Sequence, residues 1–111
     1  MKYALLICDD ETRMPSNEEM DADPVHQAWA SELERRRAKL YGFRLRPTAD
    51  ATTVRVRDDQ TLVTDGPFAE TKDFVGGVAV IECENLDEAI KIAAGHPYAH
   101  WGSVEIRPVW E

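Results

Sequence analysis

The hydrophobic and polar positions follow two periods along the chain, and each period predicts one kind of element. Residues 2–8 and residues 75–83 are apolar at both odd and even positions, which is typical of strands covered on both faces. We therefore expect two strands with both faces covered, and residues 2–8 to form a central strand. A third segment has apolar residues at helical spacing and predicts a helix that begins at Pro24 and stops at Gly42, with the stripe Val25, Trp29, Leu33 and Leu40.

Two shorter signals lie on either side of that helix. Ser16 and Glu19 have the spacing of a capping box, which predicts a short helical turn before Pro24. Residues 52–57 and 61–64 carry alternating or β-branched side chains, and the polar residues between them favour a turn. This pattern predicts a β-hairpin.

The end of the chain predicts one more helix and one more strand. Asn85 and Glu88 have the spacing of a helix cap, and Gly95 is a stop signal. A strand follows, and Pro108 places it at a sheet edge, because proline cannot donate to a β-ladder. The buried side of the helix is expected to consist of Leu86, Ala89, Ile90 and Ala93.

The order of elements, β, α, β-hairpin, β, α, β, predicts an α+β protein. It favours a ferredoxin-like sandwich with an antiparallel sheet, to which the hairpin is an addition. Two helices can cover one face of such a sheet, yet the strands of residues 2–8 and 75–83 are apolar on both faces. We therefore expect a second copy of the chain to cover the other face, in a homodimer.

Length and composition favour one globular domain over residues 1–111. The chain is long enough for one hydrophobic core and short of the size at which cores divide. No apolar run approaches the roughly 20 residues of a membrane-spanning helix, and no signal peptide precedes the first strand. We expect a cytoplasmic protein with no membrane partner, in which Cys8 and Cys83 are buried thiols and not a disulfide.

The net charge of −8 is distributed unevenly. Residues 1–34 carry nine acidic and two basic side chains, residues 35–57 carry one acidic and eight basic side chains, and residues 58–111 carry eleven acidic and three basic side chains. A nucleic-acid-binding domain is normally basic overall, because phosphate binding depends on that charge. We expect the basic centre to pair with its acidic flanks, and we expect no nucleic acid partner.

One stretch combines a sharp turn, a carboxylate and space for a ligand. Gly66 can adopt a positive φ, and Pro67 restricts the residue before it, so the chain turns directly after Asp65. Phe68 offers an apolar ring, and the glycines at 76–77 let a ligand or another backbone approach. The turn thus presents a carboxylate beside a possible cavity, although the same side chain can serve as a cap of the turn.

The tetrapeptide Asp65-Gly66-Pro67-Phe68, followed by Ala69-Glu70-Thr71-Lys72, resembles the signature of the DGPF, or YCII-related, family. The similarity extends to residues 1–7, 86–89 and 102–109 and so covers nearly the whole chain. It implies a dimeric α+β barrel in which two sheets pack face to face. A His–Asp pair is associated with YCII-like relatives, which implies Asp65 and His26 as catalytic residues and Gly66, Pro67 and Phe68 as substrate-binding residues.

Two functions remain open from these residues. The first is small-molecule binding, extended in a small enzyme to proton transfer of the lyase or isomerase kind, with His26 as acid or base and Asp65 orienting it. The alternative is a non-catalytic regulatory protein associated with an extracytoplasmic-function sigma factor, because relatives of the family are encoded beside such factors or fused to them.

Metal and cofactor chemistry have little support in the sequence. His96 and His100 are four residues apart, but Pro97 interrupts a regular helix and no acidic or thiol side chain accompanies them at ligand spacing. The chain also lacks a glycine-rich phosphate loop. We therefore expect no metal and no cofactor.

Overall fold

The computed structural model of the protein describes residues 1–67 and 72–111. Its strands are β1 (Lys2–Asp9), β2 (Lys39–Arg44), β3 (Thr52–Arg57), β4 (Gln60–Asp65), β5 (Phe74–Glu82) and β6 (Ser103–Pro108). Its α-helices are α1 (Asn17–Ala22), α2 (Pro24–Arg36), α3 (Leu86–Ala94) and α4 (Tyr98–Trp101). No helix in the described ranges is long and apolar enough to cross a membrane.

Four strands form one antiparallel sheet in the order β2, β5, β1, β6, while β3 and β4 pair with each other. Leu5 of β1 lies opposite both Ala79 of β5 and Ile106 of β6, so β1 is central. β5 is the other central strand. Without the hairpin, this order matches the ferredoxin-like arrangement, and the predicted α+β class with an antiparallel sheet is confirmed.

Helices α2 and α3 cover one face of this sheet and bury the core. Leu5 and Ile81 of the central strands and Leu33 of α2 belong to one cluster, and all three side chains are fully buried. Trp29 of α2 links α2 to α3, because its indole N–H donates a 2.8 Å hydrogen bond to the carbonyl of Ile92 in α3. The cluster also includes Tyr3, Ala38, Ala79, Cys83, Ala89 and Ala93.

The capping signals correctly predicted where the helices begin. Ser16 and Glu19 form the reciprocal capping box of α1, and the Asp23 carboxylate accepts the first hydrogen bond of α2. The predicted end of α2 at Gly42 is wrong. Arg37 adopts the left-handed conformation with φ of 53°, and the chain then enters β2, because this segment finds a ladder partner in β5.

The buried side of α3 also differs from the prediction. Ala89, Ile92 and Ala93 are buried, whereas Leu86 and Ile90 are about half exposed. The three buried residues form an i, i+3, i+4 set on one face, and Ile90 lies about 100° around the helix from Ala89. The face that meets the sheet is therefore the one with the smaller side chains.

The sheet face away from the helices is apolar. Tyr41 pairs with Val80 and Phe43 with Val78 on this face, and Leu6 continues it on β1. The rings of Tyr41 and Phe43 stack with centroids 6.1 Å apart, and their side chains are 59% and 49% exposed. We name these five residues the open sheet face.

The hairpin is confirmed and has a second exposed apolar strip. Asp58 and Asp59 form its turn with φ values of 51° and 63°, which is the geometry of a type I′ turn. Val54 lies opposite Val63, and Val56 lies on the same face of the ladder. All three valines are exposed.

Candidate functional site

A cavity of about 450 Å³ lies over the β2–β5 half of the sheet, beside α1 and the first turns of α2. Its floor consists of small residues, because Gly42 of β2 lies opposite Ala79 and Arg44 lies opposite Gly77. A methyl group at position 77 would lie 3.2 Å from a β2 carbonyl oxygen, so even alanine would be crowded there. The remaining lining residues with polar or aromatic side chains are Asn17, Asp21, His26, Trp29, Lys39, Phe43, His96 and Tyr98.

Two histidines and two aromatic rings form one side of the cavity. His26 lies on the first turn of α2 and Trp29 one turn later, while His96 follows the end of α3. The His26 and His96 rings meet edge to face with centroids 5.8 Å apart, and the Trp29 and His96 centroids are 4.7 Å apart. Tyr98 completes the group, 5.6 Å from His96. Packing of α2 against the α3–α4 connection therefore brings together imidazoles that are far apart in sequence.

His96 is held in the neutral form. Its side chain is 3% exposed, and its Nδ1 atom accepts a 3.1 Å hydrogen bond from the backbone N–H of Tyr98. The pKa of His96 is lowered to about 4, chiefly by burial and also by the neighbouring charge of His26, while Asp23 opposes the shift. Because Nδ1 is an acceptor, the proton of the neutral ring resides on Nε2. His96 is thus an N–H donor with fixed protonation near neutral pH.

His26 differs from its neighbour in exposure. Its side chain is half-buried and lines the cavity, so solvent or a ligand can reach the ring. The Asp23 carboxylate is engaged as the N-cap of α2 and accepts the N–H of Val25 at 2.8 Å. His26 is therefore the member of the pair that is more open to a bound molecule.

The other end of the same cavity side holds a guanidinium and a phenol. Arg44 of β2 donates a 2.8 Å hydrogen bond to the side-chain oxygen of Asn17 and a 2.7 Å hydrogen bond to the carbonyl of Pro15. Burial raises the pKa of the Tyr98 hydroxyl, the charge of Asp9 adds to the rise, and Arg44 opposes it. The hydroxyl of Tyr98 therefore lies near Arg44 and stays protonated at neutral pH.

Asp9 ends β1 with a buried carboxylate. Its Oδ1 atom accepts the N–H of Asp10 at 2.8 Å, and its Oδ2 atom is buried without a hydrogen-bond partner in residues 1–67 and 72–111. A buried carboxylate oxygen without a partner is costly and uncommon in folded proteins. Its influence on Tyr98 places it near the cavity, although it does not line it.

One of the predicted site residues is among the described residues that line the cavity. His26 lines the cavity, whereas Asp65, Gly66 and Pro67 lie at the base of the hairpin and are absent from its described lining. Asp65 is exposed. The backbone N–H groups just beyond Pro67, which its carboxylate was expected to cap, lie outside the described residues, so the cap of the turn stays a prediction. Phe68 lies outside the described residues. The pairing of His26 with Asp65 stays a prediction.

The turn itself has the predicted backbone geometry. Gly66 has a φ of 99°, its N–H donates a 2.8 Å hydrogen bond to the carbonyl of Ala51, and its carbonyl accepts the hydroxyl of Thr53. Glycine adopts this φ without the strain that another residue would have. These hydrogen bonds hold Gly66 against the start of β3, just beyond the last ladder pair of Thr52 with Asp65.

His96 and Asp9 were not predicted as partners of the site. The sequence offered His96 as a neighbour of His100, and the proximity of His96 to His26 arises from tertiary packing alone. A usable signal for Asp9 was its position as the first charged side chain after an apolar strand. Among residues 1–67 and 72–111, no group of three or more histidine, cysteine or acidic side chains is placed to hold a metal ion.

Comparison with known proteins agrees with the family resemblance of the sequence. The sequence matches the YCII-related domain over residues 1–111. It is also similar to an uncharacterized protein of Rhizobium meliloti, with 37% identity over 114 residues, which covers 98% of this chain and 92% of that protein.

Proposed function

Because the chain belongs to the YCII-related domain family, we propose that it binds a small polar organic molecule in the cavity and that His26 transfers a proton to or from it. The observation that supports this proposal is the contact between accessible His26 and buried His96 on one side of a cavity of about 450 Å³. A cavity of this size is in the range that small ligands occupy.

The two histidines have different roles in the proposal. Histidine is the side chain whose ordinary pKa lies closest to neutrality, and His26 is open to the cavity, so it serves as the acid or base. His96 does not titrate near neutral pH, because burial keeps it uncharged. It supplies a constant N–H donor instead. Two titratable groups with different environments are a common arrangement in acid–base sites.

The carboxylate that orients His26 has two candidates. The sequence motif favours Asp65, at the base of the hairpin. Asp9 is the second candidate, because its Oδ2 atom is buried and without a hydrogen bond in the described part of the chain. Asp65→Asn and Asp9→Asn remove one charge each and keep the size of the side chain. We propose Asp65 as the orienting residue, and a larger loss of ligand binding in Asp9→Asn would contradict that choice.

The test of the binding site is a screen of neutral polar fragments by NMR of isotope-labelled histidines. Ligands of the cavity are expected to shift the imidazole signals of His26 and His96 and to leave those of exposed His100 unchanged. Binding should be lost in His26→Ala and retained in His100→Ala. If no fragment shifts the two cavity histidines, or if both variants bind equally well, the proposed site is wrong.

We also propose that the protein is a homodimer that pairs through the open sheet face. Tyr41 and Phe43 expose stacked rings beside Val78 and Val80, and an apolar surface of this kind is usually covered in a stable protein. The pairing of two such sheets would give the dimeric α+β barrel that the family resemblance implies.

Sedimentation velocity tests this assembly. Tyr41→Glu places a charge on the open sheet face and is expected to convert dimer into monomer. Leu86→Glu is the matched control, because Leu86 is 49% exposed but lies on the helical layer. A monomeric wild-type protein at micromolar concentration, or equal behaviour of the two variants, would contradict the proposal.

A further inference from the structure

The charge of the cavity differs in sign from that of the whole protein. The chain carries a net charge of −8. Among the described residues that line the cavity, Lys39 and Arg44 are cationic, Asp21 is the acidic one, and His26 can add a further positive charge. A positive cavity in a negative protein favours an anionic ligand over an uncharged one.

Arg44 is the strongest candidate for the anion-binding group. Its guanidinium is half-buried, and its hydrogen bonds go to the neutral oxygens of Asn17 and Pro15. In the described ranges, no carboxylate forms an ion pair with it. By contrast, Arg46, two residues later, pairs with Asp50 at 3.0 Å. The Arg44 hydrogen bonds fix the direction of the guanidinium, and among the described residues they engage no carboxylate.

We infer that the cavity binds a small organic carboxylate, whose carboxylate group is held by Arg44 and whose remaining atoms lie along Tyr98 toward His26 and His96. This inference rests on the proposed function, because it names the ligand class of the same site. The guanidinium has donors in a planar fork that matches the two oxygens of a carboxylate.

Tyr98 sets the length of the ligand. Its ring contacts His96 at 5.6 Å between centroids, and its hydroxyl lies near Arg44. The distance from the guanidinium to the imidazole pair is therefore about that of one tyrosine side chain. A carboxylate of a few carbon atoms, or one with a single aromatic ring, spans it. With the anion at Arg44, the opposite end of the ligand meets the N–H donor of His96 and the proton-transferring group His26.

Matched probes separate charge from shape. Benzoate is compared with benzamide and pyruvate with pyruvamide by calorimetry and by the histidine signals in NMR. Each acid is expected to bind the wild-type protein at least about tenfold more tightly than its amide. Arg44→Gln should abolish this difference, and Arg44→Lys should keep part of it, because lysine retains the charge without the fork. Arg46→Gln, which removes an exposed charge nearby, should bind the acids as the wild-type protein does.

Each outcome decides the inference. Equal affinity of the wild-type protein for acid and amide overturns it without use of any variant, and so does an equal effect of Arg44→Gln and Arg46→Gln. If neutral fragments bind in the cavity and neither acid does, the carboxylate inference fails while the proposed function stands. If neither neutral fragments nor acids shift the signals of His26 and His96, both fail.

Discussion

The buried imidazole of His96 predicts how stability depends on pH. The pKa of His96 is lowered from 6.5 to about 4, because burial disfavours the charged ring. In the unfolded chain the same ring recovers its ordinary pKa and binds a proton more readily. The contribution of neutral His96 to the free energy of unfolding is therefore fully present above about pH 6.5. It declines as the pH falls and is lost below about pH 4.

The magnitude follows from these two pKa values. At about pH 5 an unfolded histidine is almost wholly protonated, whereas about nine in ten folded molecules keep His96 neutral. The linkage relation then gives a loss of about 2 kcal/mol between about pH 7 and about pH 5. Protonation of Glu32 adds little to the stability change between about pH 7 and about pH 5. Hydrogen bonds from Arg35 and Arg36 lower its pKa to about 2, so its contribution is lost only below its ordinary value of 4.5.

Urea unfolding at fixed protomer concentration measures the loss. The wild-type protein should lose about 2 kcal/mol between the two pH values. His96→Asn keeps an acceptor for the Tyr98 N–H but cannot titrate, so most of the loss should disappear even if the variant is less stable throughout. His100→Asn is the control, because His100 is exposed. A wild-type loss below about 0.5 kcal/mol, or a His96→Asn variant with the wild-type slope, would refute the reasoning.

Three further predictions concern stability and are tested by urea or thermal unfolding. Trp29→Phe should cost about 1–3 kcal/mol, because it removes the buried hydrogen bond to Ile92 and leaves a void; an unchanged midpoint would contradict this. Gly102→Ala should be severely destabilising, because the added methyl would overlap a carbonyl oxygen of β1, whereas Gly76→Ala, with its nearest atom at 3.8 Å, should be tolerated. Asp65→Asn keeps an acceptor oxygen and should cost little stability, whereas Asp65→Ala should cost about 0.5–2 kcal/mol, as the loss of a cap does; equal stability of the two variants would contradict the turn-cap role.

Much of the fold could be predicted from short-range patterns. Strand β1 was predicted to be central because apolar residues at both parities need cover on both faces, and β5, which has the same pattern, is central as well. The hairpin was predicted because Asp58 and Asp59 suit a tight turn between alternating segments. The capping box of α1 depends on residues three apart. In each case the interaction that determines the structure lies within a few residues.

The end of α2 could not be predicted in the same way. Leu40 continues the helical spacing of Trp29 and Leu33, yet residues Lys39–Arg44 form a strand. The partner of this segment, β5, lies more than 30 residues further along the chain. A ladder with a distant strand outweighs local helix propensity, which is a weak preference.

The candidate site also combines features that neighbouring residues determine with features that only tertiary packing determines. The sequence by itself determined that His26 begins an amphipathic helix and that Asp65 precedes a turn, because both depend on neighbouring residues. The tertiary structure alone decided that His26 meets His96, that Asp9 is buried near Tyr98, and that Arg44 faces the cavity without an anion in the described chain. Burial and proximity create these properties, since the pKa of His96 and the surroundings of the Arg44 guanidinium depend on atoms that only folding brings within a few ångströms.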